Sequence, residues 1–410
     1  MDKVWGVYVF LSLLAALEAI ALALYTYENA RHFRSRLRAP RPHGFTPRVE
    51  LFVPCKGLDP GFESMVRTVL HQDYPHYGVT FVVESQEDPA YQALQSLLNC
   101  NPAVRTRLIV AGLAMDCGQK VHNLWTATAQ LEPAVEALAF ADSDTQLPAE
   151  WLLRLIDPLR KPKVGAVTGY RWLFPLDKNW SASVFSAMNS RVTFAYGNHP
   201  LNHIWGGSWA IMRTVFDAVG IRDAWHGAVT EDLSLAGALR RAGLRVVFEP
   251  RCLVASPVRG SWSDLLEFAR RQYLIIKVFA PDIWWLVLLG NLLFSSVFWG
   301  GLVWLLMCRG TDGTKWWIVV LLAFLYAAGT LRALFRRSAV RARFPTRLDA
   351  LNRAIWLDLL AHPLLAIIDL CCILSSAPSR TITWRGIRYR LYNPHQTKIL
   401  SRSTPTTARG

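Results

Sequence analysis

Three apolar stretches, each long enough to cross a lipid bilayer, sit at the two ends of this 410-residue chain and leave about 240 residues between them for a water-exposed fold. The first runs from Val4 to Tyr25, broken only by Glu18, and the basic series Arg31, Arg34, Arg36, Arg38 and Arg41 follows it directly. A cleaved signal peptide carries its positive charge before the apolar run, so this order predicts a retained membrane anchor. Ile283 to Cys308 and Trp316 to Phe335 are the other two, joined by the polar loop Arg309 to Lys315 and followed by Arg336, Arg337, Arg341, Arg343 and Arg347. Positive charge collects on the cytoplasmic side of membrane segments, which predicts that Arg31 to Asp282 and the second basic series both face the cytoplasm. A hydrophobic share of 52% with 17 Trp fits a chain partly in lipid.

The net charge of +15 follows from the same organisation, because much of it lies beside membrane segments, where Lys and Arg meet anionic head groups. No zinc spacing or RNA-binding signature accompanies it, so a nucleic-acid partner is not expected. The stretch Ala354 to Ala377 is apolar but carries Asp358, His362-Pro363 and Asp369. A further span there would send the basic residues Arg380 to Arg390 outside, so we expect an interfacial or re-entrant segment broken near Pro363. The seven cysteines (55, 100, 117, 252, 308, 371 and 372) show neither metal-type spacing nor a disulfide framework. These readings divide the chain into a membrane helix (1–28), a cytosolic domain (45–282), a membrane region (283–378) and a basic cytosolic tail (379–410), disordered from Ser401.

Between the membrane ends, short apolar runs alternate with helical spacing. Val49 to Val53, Tyr77 to Val83, Arg107 to Ala111 and Ala137 to Ala141 read as strands; Phe62 to His71, Pro89 to Leu98 and Lys120 to Leu131 read as helices. Such alternation predicts a parallel sheet covered on both faces, with ligands held outside the carboxyl ends of its strands. Farther on, Val164 to Thr168 reads as a strand and Trp180 to Ala195 as a helix. Trp205 to Met212 is a glycine-marked turn entering a strand, Asp232 to Ala242 a helix, and Arg245 to Phe248 the closing strand.

Acidic residues recur where these segments end. Asp142-Ser143-Asp144 has the spacing that lets one or two carboxylates hold a divalent cation, Mg²⁺ or Mn²⁺, which would bridge two phosphates. Glu84 and Asp88 follow another strand, where carboxylates would grip a nucleotide's base and ribose. Lys120 and Asn123 open a helix whose N-terminus suits a diphosphate. Glu231-Asp232 follow a loop and open a helix; Thr230 as an N-cap would explain them alone, but a carboxylate there would also take a proton from an acceptor hydroxyl.

In order, Val53-Pro-Cys-Lys-Gly57, Glu84 with Asp88-Pro89, Lys120 with Asn123-Leu124, Asp142-Ser143-Asp144, Gly206-Gly207-Ser208, Glu231-Asp232 and Trp384-Arg385-Gly386 with Arg388-Tyr389 resemble the ceramide glucosyltransferase branch of the inverting family 2 glycosyltransferases. The resemblance covers residues 45 to 280 well and the membrane ends more loosely. It implies a GT-A (Rossmann-like) nucleotide-sugar-binding domain flanked by transmembrane helices. It further implies Asp88 and Glu84 on uridine, Asp142 and Asp144 on the metal and diphosphate, and Asp232 as the general base. The donor would be a UDP-sugar, UDP-glucose first, and the acceptor a lipid hydroxyl, ceramide first. Diacylglycerol, a hopanoid or a polyprenyl phosphate are alternative acceptors, and a non-catalytic lipid-binding scaffold is the alternative outside enzymes. Gly207 would let backbone approach the donor sugar or acceptor head closely. One departure stands out: relatives carry an Arg-Trp motif on a membrane-surface helix, and here the stretch reads Arg270-Arg271-Gln272-Tyr273. These four, with Glu231, Gly207 and, from the tail, Trp384 and Arg385, are the expected acceptor and diphosphate region.

Overall fold

A computed structural model of the chain describes residues 2–99, 104–176, 179–307 and 313–403, which gather into two compact units. One takes the described residues of Arg36–Leu173, Tyr196–Pro257 and Arg380–Gly410; the other takes those of Met1–Ser35, Phe174–Ala195 and Val258–Ser379.

The first unit is built on a seven-stranded sheet. Its strands are Val49–Pro54 (β1), Tyr77–Val83 (β2), Arg105–Val110 (β3), Ala137–Ala141 (β4), Val164–Pro175 (β5), Ser208–Met212 (β6) and Arg245–Val258 (β7), in the order β3-β2-β1-β4-β6-β5-β7. β1 pairs in parallel with β2 and β4, and β2 with β3. All residues of β1 and β4 are buried; β4 is apolar throughout, and β1 is apolar except for Glu50, which is buried against Arg105 and the Thr80 hydroxyl. The sheet is not parallel throughout, however: β6 runs antiparallel to β4 and to β5. Apolar alternation reports burial and is the same for a strand run in either direction, so direction was not readable from the pattern.

Under the carboxyl end of the sheet lies an aromatic stack. Phe140 of β4 faces Trp209 of β6 with ring centroids 4.0 Å apart and 8° between planes, Phe52 of β1 stacks on its other side at 5.3 Å, and Trp225 meets Phe140 edge-on at 6.2 Å. These four rings belong to one buried cluster with Leu124, Leu235 and Leu239. The cluster fixes the ends of β4 and β6 against the helices that follow Gly118 and Glu231.

The basic tail expected over residues 379–410 is folded over its described part, and Ser401 and Arg402, where disorder was expected to begin, end a strand. Thr381–Trp384 (β8), Ile387–Asn393 (β9) and Gln396–Arg402 (β10) form an antiparallel three-stranded sheet within the first unit. Ile387, Tyr389 and Leu391 are buried while Arg388 and Arg390 are exposed, so the arginines are the outer face of an alternating strand. Residues 404–410, the remainder of the segment expected to be disordered, lie outside the described residues.

The second unit is helical. Asp2–Arg38, Pro281–Met307 and Gly313–Arg343 contain stretches long and apolar enough to cross a membrane. The helices run past the expected span ends into both basic series, because nothing breaks them before Pro40 and Pro345. Residues 308–312, which hold most of the expected loop between the last two, lie outside the described residues. Leu348–Leu360 and His362–Ser376 meet at 90°, with Pro363 in the first turn of the second helix. A core of Val184, Met188, Leu265, Ala269, Ala354, Leu365 and Cys372 holds them to Trp180–Thr193 and Trp262–Phe279.

Candidate active site

Because β1, β2 and β4 are parallel, the loops leaving them emerge along one edge of the sheet. Lys56 to Asp59 follow β1, Glu84 to Asp88 follow β2, and Asp142-Ser143-Asp144 follow β4. The pairing of Ala141 with Ser208 sets Gly206-Gly207 beside Asp142, whose backbone N–H donates to the Gly207 carbonyl at 3.3 Å. The helix Gln119–Thr128 brings Lys120 to the same edge on its first turn.

Lys120 is the hub. Its ammonium lies 2.6 Å from Asp142 and 2.5 Å from Glu231 and donates to the Gly206 carbonyl at 3.3 Å. Burial alone would lower the lysine's pKa, but the two carboxylates raise it, so it stays a cation. Burial likewise opposes ionisation of Asp142, and Lys120 overrides it and holds Asp142 below the usual carboxylate range. Glu231 is 1% exposed; burial, with Asp232 and Asp142 nearby, pushes it up to about 7 despite Lys120. Glycine is required at the adjoining turn. A Cβ on Gly206 would collide with the Glu231 carboxylate and sit 3.0 Å from Lys120 Nζ, and one on Gly207 would strike the Trp205 ring and come within 2.6 Å of Asp142 Oδ2.

Asp144 differs from Asp142 in having no lysine. Its Oδ1 is shielded from solvent without a hydrogen-bond partner, Arg171 is 3.9 Å from Oδ2, and burial together with Asp142 raises its pKa. Among the described residues no group of three or more His, Cys, Asp or Glu side chains could hold a metal by itself. The donor set nonetheless fits Mg²⁺ or Mn²⁺, which bind through one or two carboxylates and complete their shell with water and substrate phosphate. The orphaned Asp144 oxygen is the atom that such an ion would engage.

Asp88, 4% exposed, accepts through Oδ1 from the N–H groups of Gly57 at 2.8 Å and Ala90 at 2.9 Å. It thereby starts the helix Pro89–Asn99 and pins the loop after β1. Glu84 forms an ion pair with Lys56 and lies 3.7 Å from Arg402. Asp232 is only partly buried. Its Oδ2 accepts from Gly206 N–H at 2.9 Å and its Oδ1 from the Thr230 hydroxyl at 2.6 Å. Thr230 thus serves Asp232 and does not cap the helix Asp232–Arg241, whose N-cap position is Glu231. Trp225, from the aromatic stack, donates its indole N–H to the Glu231 carbonyl at 3.0 Å and so fixes this corner from below.

The β8–β10 sheet reaches into the same site. Tyr389 Oη accepts from Gln119 N–H at 3.1 Å, at the start of the Lys120 helix. Arg402 donates to Gln119 Oε1 at 3.0 Å and to the Ala114 carbonyl at 2.7 Å. Arg385 donates to both oxygens of Asp59, at 2.9 Å each, and to the Lys56 carbonyl at 3.0 Å. It occupies a two-residue hairpin loop with Gly386 in which both residues have positive φ, 47° and 76°. For a residue with a Cβ that conformation costs about 1–2 kcal/mol. Sequence reasoning singled out Arg385 but missed Asp59, Gln119 and Arg402. Asp59 stood two residues beyond the quoted Lys56-Gly57 motif, and nothing local distinguished Arg402 from the other tail arginines.

Arg270, Arg271, Gln272 and Tyr273 belong to the helical unit, on Trp262–Phe279. Arg270 donates to the Ser375 carbonyl at 3.2 Å, the Arg271 guanidinium lies 5.0 Å over the Phe268 ring, and Tyr273 donates to Asp369 Oδ1 at 3.0 Å. Gln272 is half-buried on the same helix, and Trp384 is half-buried at the end of β8.

The fold and the edge just described are those of a membrane-associated α/β chain with acids, a buried lysine and a glycine turn at the carboxyl ends of its strands. Glycosyl transferase family 21 matches this chain over residues 12–396, and the chain belongs to that family. Part of it is similar to the ceramide glucosyltransferase of Komagataella phaffii, 31% identical over 86 residues, which is 20% of this chain and 16% of that protein. A ceramide glucosyltransferase of Gibberella zeae is 26% identical over 166 residues, 37% of this chain and 30% of that one. The chain therefore aligns with less than a third of either relative. A similar solved structure is the mannosyltransferase PcManGT from Pyrobaculum calidifontis in complex with GDP-Man and Mn²⁺, with a TM-score of 0.47 and 16% identity over 90% of this chain and 99% of that one. The expected kinship with ceramide glucosyltransferases is borne out, under the family number 21.

Proposed function

We propose that the chain is a membrane-bound inverting glycosyltransferase that moves a hexosyl group, glucose first, from a UDP-sugar to a lipid hydroxyl, with ceramide the first acceptor to test. The observation that carries the reading is the pairing of two differently tuned acidic groups around Gly206-Gly207. On one side Asp142, locked ionised by Lys120, adjoins Asp144 with its orphaned oxygen; on the other the partly exposed Asp232 carboxylate is oriented by Gly206 N–H. A donor diphosphate would lie on the first and an acceptor hydroxyl on the second.

In this reading Asp88 and Glu84 grip the uridine, and Lys120 and Arg385 supply positive charge to the diphosphate. Asp142 and Asp144 hold Mg²⁺ or Mn²⁺, which when bound neutralises charge on the departing diphosphate. Asp232 removes the proton from the acceptor hydroxyl as that oxygen bonds to the anomeric carbon. The bond from that carbon to the diphosphate breaks with its electron pair leaving on UDP, so one displacement inverts the anomer and no covalent enzyme intermediate forms. Arg270, Arg271, Gln272, Tyr273 and Trp384 are assigned to the acceptor and diphosphate region, with the catalytic unit facing the cytoplasm. Incubation of the purified protein with Mg²⁺ or Mn²⁺, a panel of UDP-sugars and a panel of lipids, read by mass spectrometry, tests the assignment. UDP-glucose and ceramide should give glucosylceramide, and Asp232→Asn should lower turnover by about 10²–10⁴-fold with UDP affinity kept. Unchanged turnover in that variant removes Asp232 as the base; product on diacylglycerol, a hopanoid or a polyprenyl phosphate alone reassigns the acceptor; no product on any lipid favours the scaffold reading.

A further inference from the structure

Arg385 carries five N–H donors in one plane. Asp59 takes the end of the guanidinium, one hydrogen from Nη1 and one from Nη2, and the Lys56 carbonyl takes the second hydrogen of Nη1. Two donors have no partner among the described residues: Nε–H and the second Nη2–H. In a guanidinium these two lie on the same side edge, parallel and spaced to meet two oxygens of one phosphate. The side chain is 35% exposed. Asp59 also accepts from the Ser143 hydroxyl at 2.8 Å, which ties the guanidinium to the middle residue of the Asp142-Ser143-Asp144 turn. The left-handed backbone at Arg385 is maintained by the same contacts, as expected where local strain serves a site.

We infer that Asp59 is a positioning residue for donor binding: it consumes the end of the Arg385 guanidinium so that the free Nε/Nη2 edge is presented to the diphosphate beside Asp142 and Asp144. This deepens the reading given above and rests on it. Asp59 touches no reacting atom; it acts through Arg385 and through Ser143. Asn at position 59 keeps an acceptor for Ser143 and loses the second anionic oxygen that holds the end of the guanidinium. Lys at position 385 keeps the charge and lacks the planar edge altogether.

Titration calorimetry on the full-length protein in detergent with Mg²⁺ tests this, using UDP and, as a probe lacking the diphosphate, uridine. Asp59→Asn and Arg385→Lys should each weaken UDP at least tenfold, raise KM for the donor more than they lower kcat, and leave uridine affinity unchanged. The double variant should bind UDP no worse than the weaker single variant, because both act on one edge. UDP binding at wild-type strength in either variant overturns the inference while leaving the transferase reading intact. So does equal loss of UDP and uridine in Asp59→Asn, which marks a merely structural role. No UDP binding by the unaltered protein overturns both readings together.

Discussion

Glu231 and Asp232 are adjacent acids with opposite environments, and that difference is where the residue scale becomes predictive. Asp232 is partly exposed and holds a backbone N–H; Glu231 is sealed against Lys120. The native protein retains the Glu231 proton up to about pH 7, whereas the unfolded chain releases it near 4.5. The stability from this group is therefore full below 4.5 and is lost as pH rises to about 7. Glu231→Gln should flatten that dependence, while Lys120 keeps Asp142 as its partner. Thermal unfolding of the detergent-solubilised protein at pH 5 and pH 8 checks it: the drop in melting temperature between the two should be smaller in the variant. The identity of these residues as site candidates was legible from their order along the chain. Their roles were not, because which of two neighbouring carboxylates is buried depends on Gly206, whose missing Cβ leaves room for the Glu231 oxygen.

At the scale of elements, the strands β1 to β4 and the helices between them lie close to where apolar runs and helical spacing put them, since a buried parallel strand is mostly apolar along its length, Glu50 of β1 being tolerated through its pairing with Arg105. The C-terminal sheet was misread. Its many arginines argued for a solvated tail, yet Ile387, Tyr389 and Leu391 alternate with Arg388 and Arg390 as an amphipathic strand does. The sheet gives the site Arg385 and Arg402. Arg402→Ala leaves the Ala114 carbonyl without its charged donor and Gln119 Oε1 with only the Ala114 N–H. Lost charge-assisted hydrogen bonds of this kind typically cost about 1.5–3 kcal/mol, less where water replaces them. The expected outcome is a lower melting temperature and a several-fold higher KM for the donor with kcat nearly kept; steady-state kinetics beside a melting curve measure both.

At the scale of the molecule, three helices among the described residues fit for membrane passage and two basic series beside them set the expected topology. A protease-cleavable tag placed after Gly410 should be removed in vesicles that expose the cytoplasmic face and protected in vesicles of the opposite orientation. The reverse pattern would turn the catalytic unit to the other side. Alkaline carbonate should leave the chain in the membrane pellet.

What the sequence determined by itself was membrane attachment, the α/β class, the order of the site acids and the ceramide glucosyltransferase kinship. The first three rest on local properties, namely apolar length, periodicity and residue types at strand ends, and the kinship rests on the resemblance of an ordered set of motifs to a known family. Only the tertiary structure decided that Lys120 neutralises Asp142 and not Asp144, that Glu231 is closed while Asp232 is partly open, and that a hairpin more than three hundred residues from Asp59 completes the Asp142 edge. These depend on which charges meet in a low-dielectric setting after the chain has folded, and no spacing along the sequence specifies that distance.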